Sequence, residues 1–346
     1  MLRSILRAAV RRSLNEVRHI RPDPPGRARG GVADLHRRVE RDFGVLAPPV
    51  VMLSPAPECA AATWTALRES LLVPGRTGRG EREAVATAVS RANACPYCVE
   101  VHGATLGSLD GTGDGSEAPD PRPLGSLTPA ERAELGAVEL TFQHINRLVN
   151  VFLPDSPLPD FAPAPVRGTL RRATGAVIAA RTGPPLSPDT SLELLPRNAR
   201  NARNAAVPDD LRWALGEPRI AGVLAAVAAA VDEAGSRVLP GAVRALVHRH
   251  LHEHGAAPAG VSRAWVEEPV AALSPSDRAL GRLALLTARA SFQVGDDTVA
   301  ACRRAGADDA DLVRAVSWAA MAAARHATAR NAASVRRIEP NRGKQT

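Results

Sequence analysis

An all-α fold is predicted by three features of this 346-residue chain. Apolar residues make up 45% of it but aromatics only 3%, so the core must be filled by Ala, Leu and Val, which suit close helix packing. Successive segments repeat apolar residues at the spacing of one helix face. Capping patterns such as Thr128-Pro129-Ala130-Glu131 stand where helices should begin. The length allows two ordinary domains, each with its own core.

The opening stretch MLRSILRAAVRRSLNEV puts Leu2, Ile5, Leu6, Ala9, Val10 and Leu14 on one helical face, with Arg3, Arg7 and Arg11 at intervals of four. A secretory or twin-arginine signal needs an uninterrupted apolar segment after its basic part, and none follows Arg11-Arg12. A helix lying on a membrane surface is one alternative; a helix docked on the body of the protein or on a partner subunit is the reading preferred here. The prolines and glycines of RPDPPGRARGG, residues 21–31, mark a boundary; a helix follows over Ala33 to Phe43, and LAPPV stops it. Residues 1–44 therefore form a basic N-terminal extension.

Residues 45–153 form the next unit. A helix starts near Glu58 in ECAAATWTALRESLL, a loop VPGRTGRG follows, and EREAVATAVSRANA leads into ACPYCVEVHGA. The polar stretch LDGTGDGSEAPDPRP reads as an exposed, mobile loop. Thr128 then opens the helix ERAELGAVELTFQHINRLVNVF. Residues 154–209, with clustered prolines and the tract RNARNARNAA, read as a helical piece around Thr169 to Ala180 followed by a linker. Residues 210–335 form a last helical domain, with helices near Arg219–Glu233 and Gly241–His254. In it Ser274-Pro275-Ser276-Asp277 precedes DRALGRLALLTARASF, and the helix from Asp308 closes the fold. The tail around Lys344 is expected to fray.

The net charge of +8 would suggest nucleic acid, but residues 1–41 alone hold eleven Arg against four acidic residues. The remainder is close to neutral, and stacking aromatics are scarce, so a nucleic-acid-binding body is not expected. The longest apolar run, Ile220 to Val231, falls short of the roughly 18 residues a membrane-spanning helix needs. With neither a signal nor a framework of closely spaced cysteines, a reducing cytoplasm is the expected compartment.

The halves echo each other faintly. Thr87-Ala88 corresponds to Thr287-Ala288, and GAVELTFQHINR from Gly136 resembles RAVSWAAMAAAR from Arg314. An offset of 200 residues puts Leu283 at the place of Glu83, Gly295 at Cys95, Thr298 at Cys98 and Cys302 at His102. The second copy would lack the chemistry and serve as a packing partner.

That chemistry is concentrated in ACPYCVEVHGA, which holds two of the four cysteines. Pro96 favours a helical first turn, so Cys95 is expected at a helix N-terminus with Cys98 inside the first turn. Peptide N–H groups there favour anions and would lower a thiol pKa. His102, four residues after Cys98, faces the same way and can take or return the thiol proton. Glu83, twelve residues before Cys95, can be brought back by an antiparallel helix pair to fix the imidazole tautomer.

Three uses of the pair compete. A zinc site needs about four ligands, and Cys59 and Cys302 are isolated in sequence. A structural disulfide would close a very small loop and would not persist in a reducing cytosol. A redox-active pair is the reading that survives best. No metal and no cofactor is implied.

The combination of Glu83, Cys95-Pro-Tyr-Cys98, His102 and the later FQHINR segment resembles the alkyl hydroperoxidase D-like, or carboxymuconolactone decarboxylase-like, family, over roughly residues 45–153 and faintly in the second half. The resemblance implies an all-helical fold with the cysteines between antiparallel helices, and a thiol peroxidase cycle acting on hydroperoxides. Cys98 would be the peroxidatic thiolate and Cys95 the resolving thiol, with His102 and Glu83 relaying protons. It also implies a lipoylated or thioredoxin-like dithiol reductant and a homo-oligomer. Its decarboxylase branch lacks the cysteine pair, so lactone decarboxylation is not expected. Tyr97 stands where the best-known hydroperoxidases have histidine, which implies a simpler relay. A thiol–disulfide oxidoreductase and a non-catalytic redox-sensing interaction protein are the competing functions.

Elsewhere, VHRHLHEHG carries His248, His250, His252 and His254 as two i, i+4 pairs on nearly opposite helix faces, expected as a solvated helix end rather than a metal site. His144, Asn146 and Arg147 can approach the redox pair or an interface, with helix packing the preferred role. Trp64, Trp213, Trp265 and Trp318 are expected as core anchors, and Cys59 and Cys302 as small buried hydrophobes.

Overall fold

Proline opens several helices of this chain and glycine closes some of them, because proline's missing N–H costs nothing in a first turn and glycine readily takes a left-handed cap. The computed structural model describes residues 14–111, 126–158, 164–180, 184–258 and 260–338. Helix α1 (Gly30–Phe43) ends at Gly44, whose φ of 96° is left-handed. LAPPV does not stop it, because Gly44 has already ended the helix; its prolines instead open a short helix, α2 (Pro48–Val51). Helix α3 (Pro57–Leu67) widens into a π-helical turn over Arg68–Leu72. Then come α4 (Arg79–Ala92), α5 (Pro96–Asp110) and α6 (Pro129–Phe152). The Thr128 capping box forms as expected: the Glu131 N–H donates to the Thr128 hydroxyl, and the Thr128 N–H donates back to the Glu131 carboxylate at 2.8 Å.

Residues 154–209 carry more regular structure than their prolines suggest. Helix α7 (Ala164–Ala179) packs along α5, and RNARNA itself forms α8 (Arg197–Ala202). The α5–α7 contact is backbone-close: a Cβ on Gly175 would lie 2.2 Å from the Ala104 carbonyl oxygen. The remaining helices are α9 (Pro218–Ser236), α10 (Gly241–His254), α11 (Glu267–Ala271), α12 (Arg278–Ala290), α13 (Asp296–Arg304) and α14 (Asp309–Ile338). No strand occurs among the described residues. The fold is all-α.

The long helices α6 and α14 pack along each other at the centre, with α4 against α6 on one side and α9 and α12 against α14 on the other. One large apolar cluster runs from Ile20 to Ala324 and draws on both halves of the chain. Trp64 and Trp318 are fully buried within it. Trp213 and Trp265, also expected as anchors, are only partly buried and pack at its margin. No helix among the described residues is long and apolar enough to cross a membrane.

The basic helix expected over the first residues lies, up to residue 13, outside the described residues, as do residues 112–125 of the polar loop and the tail around Lys344. From Leu14 the chain runs as a strap. Leu14 packs on Leu46 and Val51, the Arg18 N–H donates to the Phe152 carbonyl at 2.8 Å, and the Arg21 N–H donates to Asp309 at 2.9 Å.

A buried ionic network ties the π turn to the later segments. The wide turn buries Arg68 and Glu69, and burying charge is tolerated only with full pairing. Arg68 meets Asp42 at 2.8 Å, Glu69 at 2.5 Å and the Ser187 carbonyl at 3.0 Å. Glu69 also accepts from the Ser191 hydroxyl at 2.7 Å, the Asp189 N–H at 3.0 Å and Arg219 of α9 at 3.0 Å. Arg68→Ala would leave two buried carboxylates without their shared cation. We expect a loss of about 3–5 kcal/mol in urea unfolding, while a surface exchange such as Arg37→Ala should cost under about 1 kcal/mol.

Candidate active site

The corner between α4 and α5 is tight. Helix α4 ends at Ala92, and Cys95 caps α5 with Pro96 at its first position, as the sequence predicts. Between them Ala94 has a φ of 48°, a left-handed conformation that costs a non-glycine residue about 1–2 kcal/mol. The Ala94 N–H donates to Arg91 O at 3.1 Å and the Cys95 N–H to Ser90 O at 3.0 Å, which hold the corner closed.

The corner buries the two thiols together, while Glu83 and His102 pair with each other across α4 and α5. Cys95 and Cys98 are 1% and 2% exposed, and the two thiols interact with each other. Glu83, on α4, is fully buried. His102 Nδ1–H donates to its Oε2 at 2.7 Å, and Arg79, one turn before Glu83, donates to Oε1 at 2.8 and 2.6 Å. Burial alone would raise the Glu83 pKa, but the Arg79 charge and the His102 hydrogen bond outweigh it, so the carboxyl is held below its usual range. The carboxylate is therefore ionised and accepts the Nδ1 proton, which leaves Nε2 as the ring nitrogen that can exchange a proton. Phe142 of α6 meets the same ring edge-on at 4.5 Å and fixes its plane.

The Cys98 thiol differs from expectation. The N-terminus of α5 should lower its pKa, yet burial raises it well above the ordinary thiol value, and the neighbouring Cys95 adds to the rise. Only the Asn146 amide, beside the sulfur, pulls the other way. Removing a thiolate from water costs more than the partial charge of a helix end returns. Burial likewise pushes the Tyr97 phenol above its ordinary pKa, with the two cysteines adding to the effect, so Tyr97 is neutral. Sequence reasoning also missed Arg79, although its i, i+4 spacing to Glu83 was a readable signal.

FQHINR disperses. Asn146 reaches the thiol pair. His144 pairs with the Thr63 hydroxyl at 3.1 Å, and burial pushes its pKa down to about 3. Arg147 donates to the Ala288 and Ala256 carbonyls of the second half at 2.9 and 3.0 Å. The four histidines of α10 split as expected between two faces, but they do not all form a solvated end. His250 is buried, stacks on Trp265 at 5.4 Å and bonds Arg289 at 3.0 Å, and burial pushes its pKa down to about 4. Cys59 and Cys302 are both fully buried. Among the described residues no group of three or more His, Cys, Asp or Glu is placed to hold a metal ion. In the second half, α13 is capped by Gly295, with Thr298 in its first turn.

Known proteins match this sequence. The profile of the Carboxymuconolactone decarboxylase family matches residues 59–107, which span α3 to α5 and the whole thiol corner. A Mycobacterium tuberculosis (strain ATCC 25618 / H37Rv) protein named alkyl hydroperoxide reductase Rv2159c is 36% identical over 335 residues, covering 89% of this chain and 93% of that one. The chain belongs to the alkyl hydroperoxidase D-like, carboxymuconolactone decarboxylase-like family. No solved structure matches it.

The buried thiols set an alkaline limit. Burial pushes Cys59 up to about 12 and Cys302 up to about 11, and it raises Cys98 as well. Unfolded thiols ionise above about 8.5 while the folded ones keep their protons, so the native state binds more protons and loses stability as pH rises. Urea unfolding under reductant between pH 9 and 10.5 should show stability falling by up to about 1.4 kcal/mol per pH unit for each such thiol. A flat profile would contradict this burial.

Proposed function

We propose that the chain is a thiol peroxidase that reduces small organic hydroperoxides through Cys98 and Cys95. The observation that carries this reading is the buried Glu83–His102 hydrogen bond, one helical turn along α5 from Cys98, which would supply an oriented base to a thiol that burial keeps protonated. The name of the M. tuberculosis relative supports the same class of reaction.

In this reading His102 Nε2 accepts the Cys98 proton as the hydroperoxide arrives. The thiolate attacks the outer peroxide oxygen, the O–O bond breaks, and the alcohol leaves with a proton, giving Cys98 sulfenic acid. The Cys95 sulfur then attacks the Cys98 sulfur and displaces water, giving the Cys95–Cys98 disulfide. Two electrons and two protons from a dithiol restore the pair. Burial of both sulfurs favours a small peroxide over a folded protein disulfide as oxidant. It also favours a slender dithiol, such as a lipoyl arm, over a broad protein face as reductant, with thioredoxin-like donors the alternative. Such a cycle suits a reducing cytoplasm. The second half, without a thiol pair at Gly295 and Thr298, would act as packing partner, and assembly into homo-oligomers follows the family expectation.

Peroxide consumption with an excess of small dithiol tests these roles. Cys98→Ser should abolish it, and His102→Ala should lower it about 10²–10⁴-fold. Cys95→Ser should stop after one turnover with a trappable sulfenic acid. Unchanged consumption in Cys98→Ser would sink the proposal.

A further inference from the structure

Helix α6 contributes an amide to the thiol pair, and the hydrogen bonds around that amide fix which end it presents. The Ser90 hydroxyl donates its single proton to the Ala86 carbonyl at 2.7 Å, so towards Asn146 it can only accept. Asn146 Nδ2 donates to that hydroxyl at 3.0 Å. On its other side Asn146 Oδ1 accepts from Asn93 Nδ2 at 3.1 Å. Both contacts agree, so the amide cannot flip without losing two buried hydrogen bonds. An amide nitrogen carries two protons, and one is spent on Ser90. The second is taken up by neither Ser90 nor Asn93, and Cys98 is the sulfur with which the Asn146 side chain interacts.

We propose that Asn146 is a thiolate-stabilising residue: its second Nδ2 proton is the donor that receives the negative charge of Cys98 when His102 removes the thiol proton. The inference rests on Cys98 being the reacting thiol. A charged acceptor makes a stronger hydrogen bond than a neutral one, so the contact strengthens as the thiolate forms. In a site from which water is excluded, a preset donor costs no reorganisation at that moment. Ser90 and Asn93 are positioning residues that act through Asn146. Asn93 is itself held from below, because Asn150, one turn along α6, donates to its carbonyl at 3.1 Å and to the Ser291 hydroxyl of the second half at 3.0 Å. Asn146 is fully buried, so bulk water does not compete for its donor.

The test is the pH dependence of Cys98 alkylation by iodoacetamide in the full reduced chain, read at the modified residue by tandem mass spectrometry with no peroxide present. Asn146→Ala should move the midpoint up by about one pH unit, a roughly tenfold loss of thiolate at neutral pH. Asn146→Ser, which keeps a shorter hydroxyl donor, should move it less. Arg68→Ala, which removes a buried cation outside this network, should lower stability without moving the midpoint. The proposal is overturned if both Asn146 variants keep the wild-type midpoint, or if Arg68→Ala moves it as far as Asn146→Ala. Because no peroxide is used, a protein that fails to turn over hydroperoxide but shows these shifts loses the peroxidase reading and keeps the donor.

Discussion

The carboxylate of Glu83 lies where water does not reach, and the pairing of α4 with α5 must satisfy it. Arg79 supplies the charge from one turn away on the same helix, and His102 supplies the hydrogen bond from the next helix. An unpaired buried carboxylate would cost several kcal/mol, so this bond fixes the register of the two helices. The corner between them then has little freedom. Ala94 takes a left-handed conformation and Cys95 becomes the cap of α5. The thiol pair at that corner is positioned in part by how the Glu83 charge is neutralised.

The same burial that orders the site opposes its chemistry. Desolvation keeps Cys98 protonated and keeps Tyr97 neutral. In the proposed cycle such a thiol gains reactivity from a base and a donor already in place, each from a separate helix. His102 on α5 is oriented by α4, while the Asn146 amide on α6 is oriented by Ser90 and Asn93 on α4. Helix α6 in turn packs along α14, and Arg147 reaches the carbonyls of Ala256 and Ala288. The second half thus bears on the site through the placement of α6.

Local signals were legible in the sequence and tertiary ones were not. Thr128, Pro96 and Gly241 mark helix starts because capping depends on a few adjacent residues. The i, i+4 placement of His102 and Cys98 on one helix is legible for the same reason. Helix α13 is only nine residues long and polar, so apolar periodicity does not reveal it; Asp296-Asp297 at its start and Arg303-Arg304 at its end complement the helix dipole and were its signal. His250 reads as part of a solvated end because its partners, Trp265 and Arg289, are distant in sequence. The direction of the Cys98 shift fails for a related reason: the helix end is a local fact, but burial belongs to the whole fold.

The central claim is that chemistry is confined to the corner pair although all four cysteines are buried. Its most direct measurement is peptide mapping of the reduced chain after one equivalent of an organic hydroperoxide. The account predicts a Cys95–Cys98 disulfide, one equivalent of alcohol, and Cys59 and Cys302 still reduced. Oxidation at Cys59 or Cys302 with the corner pair left as thiols would contradict it.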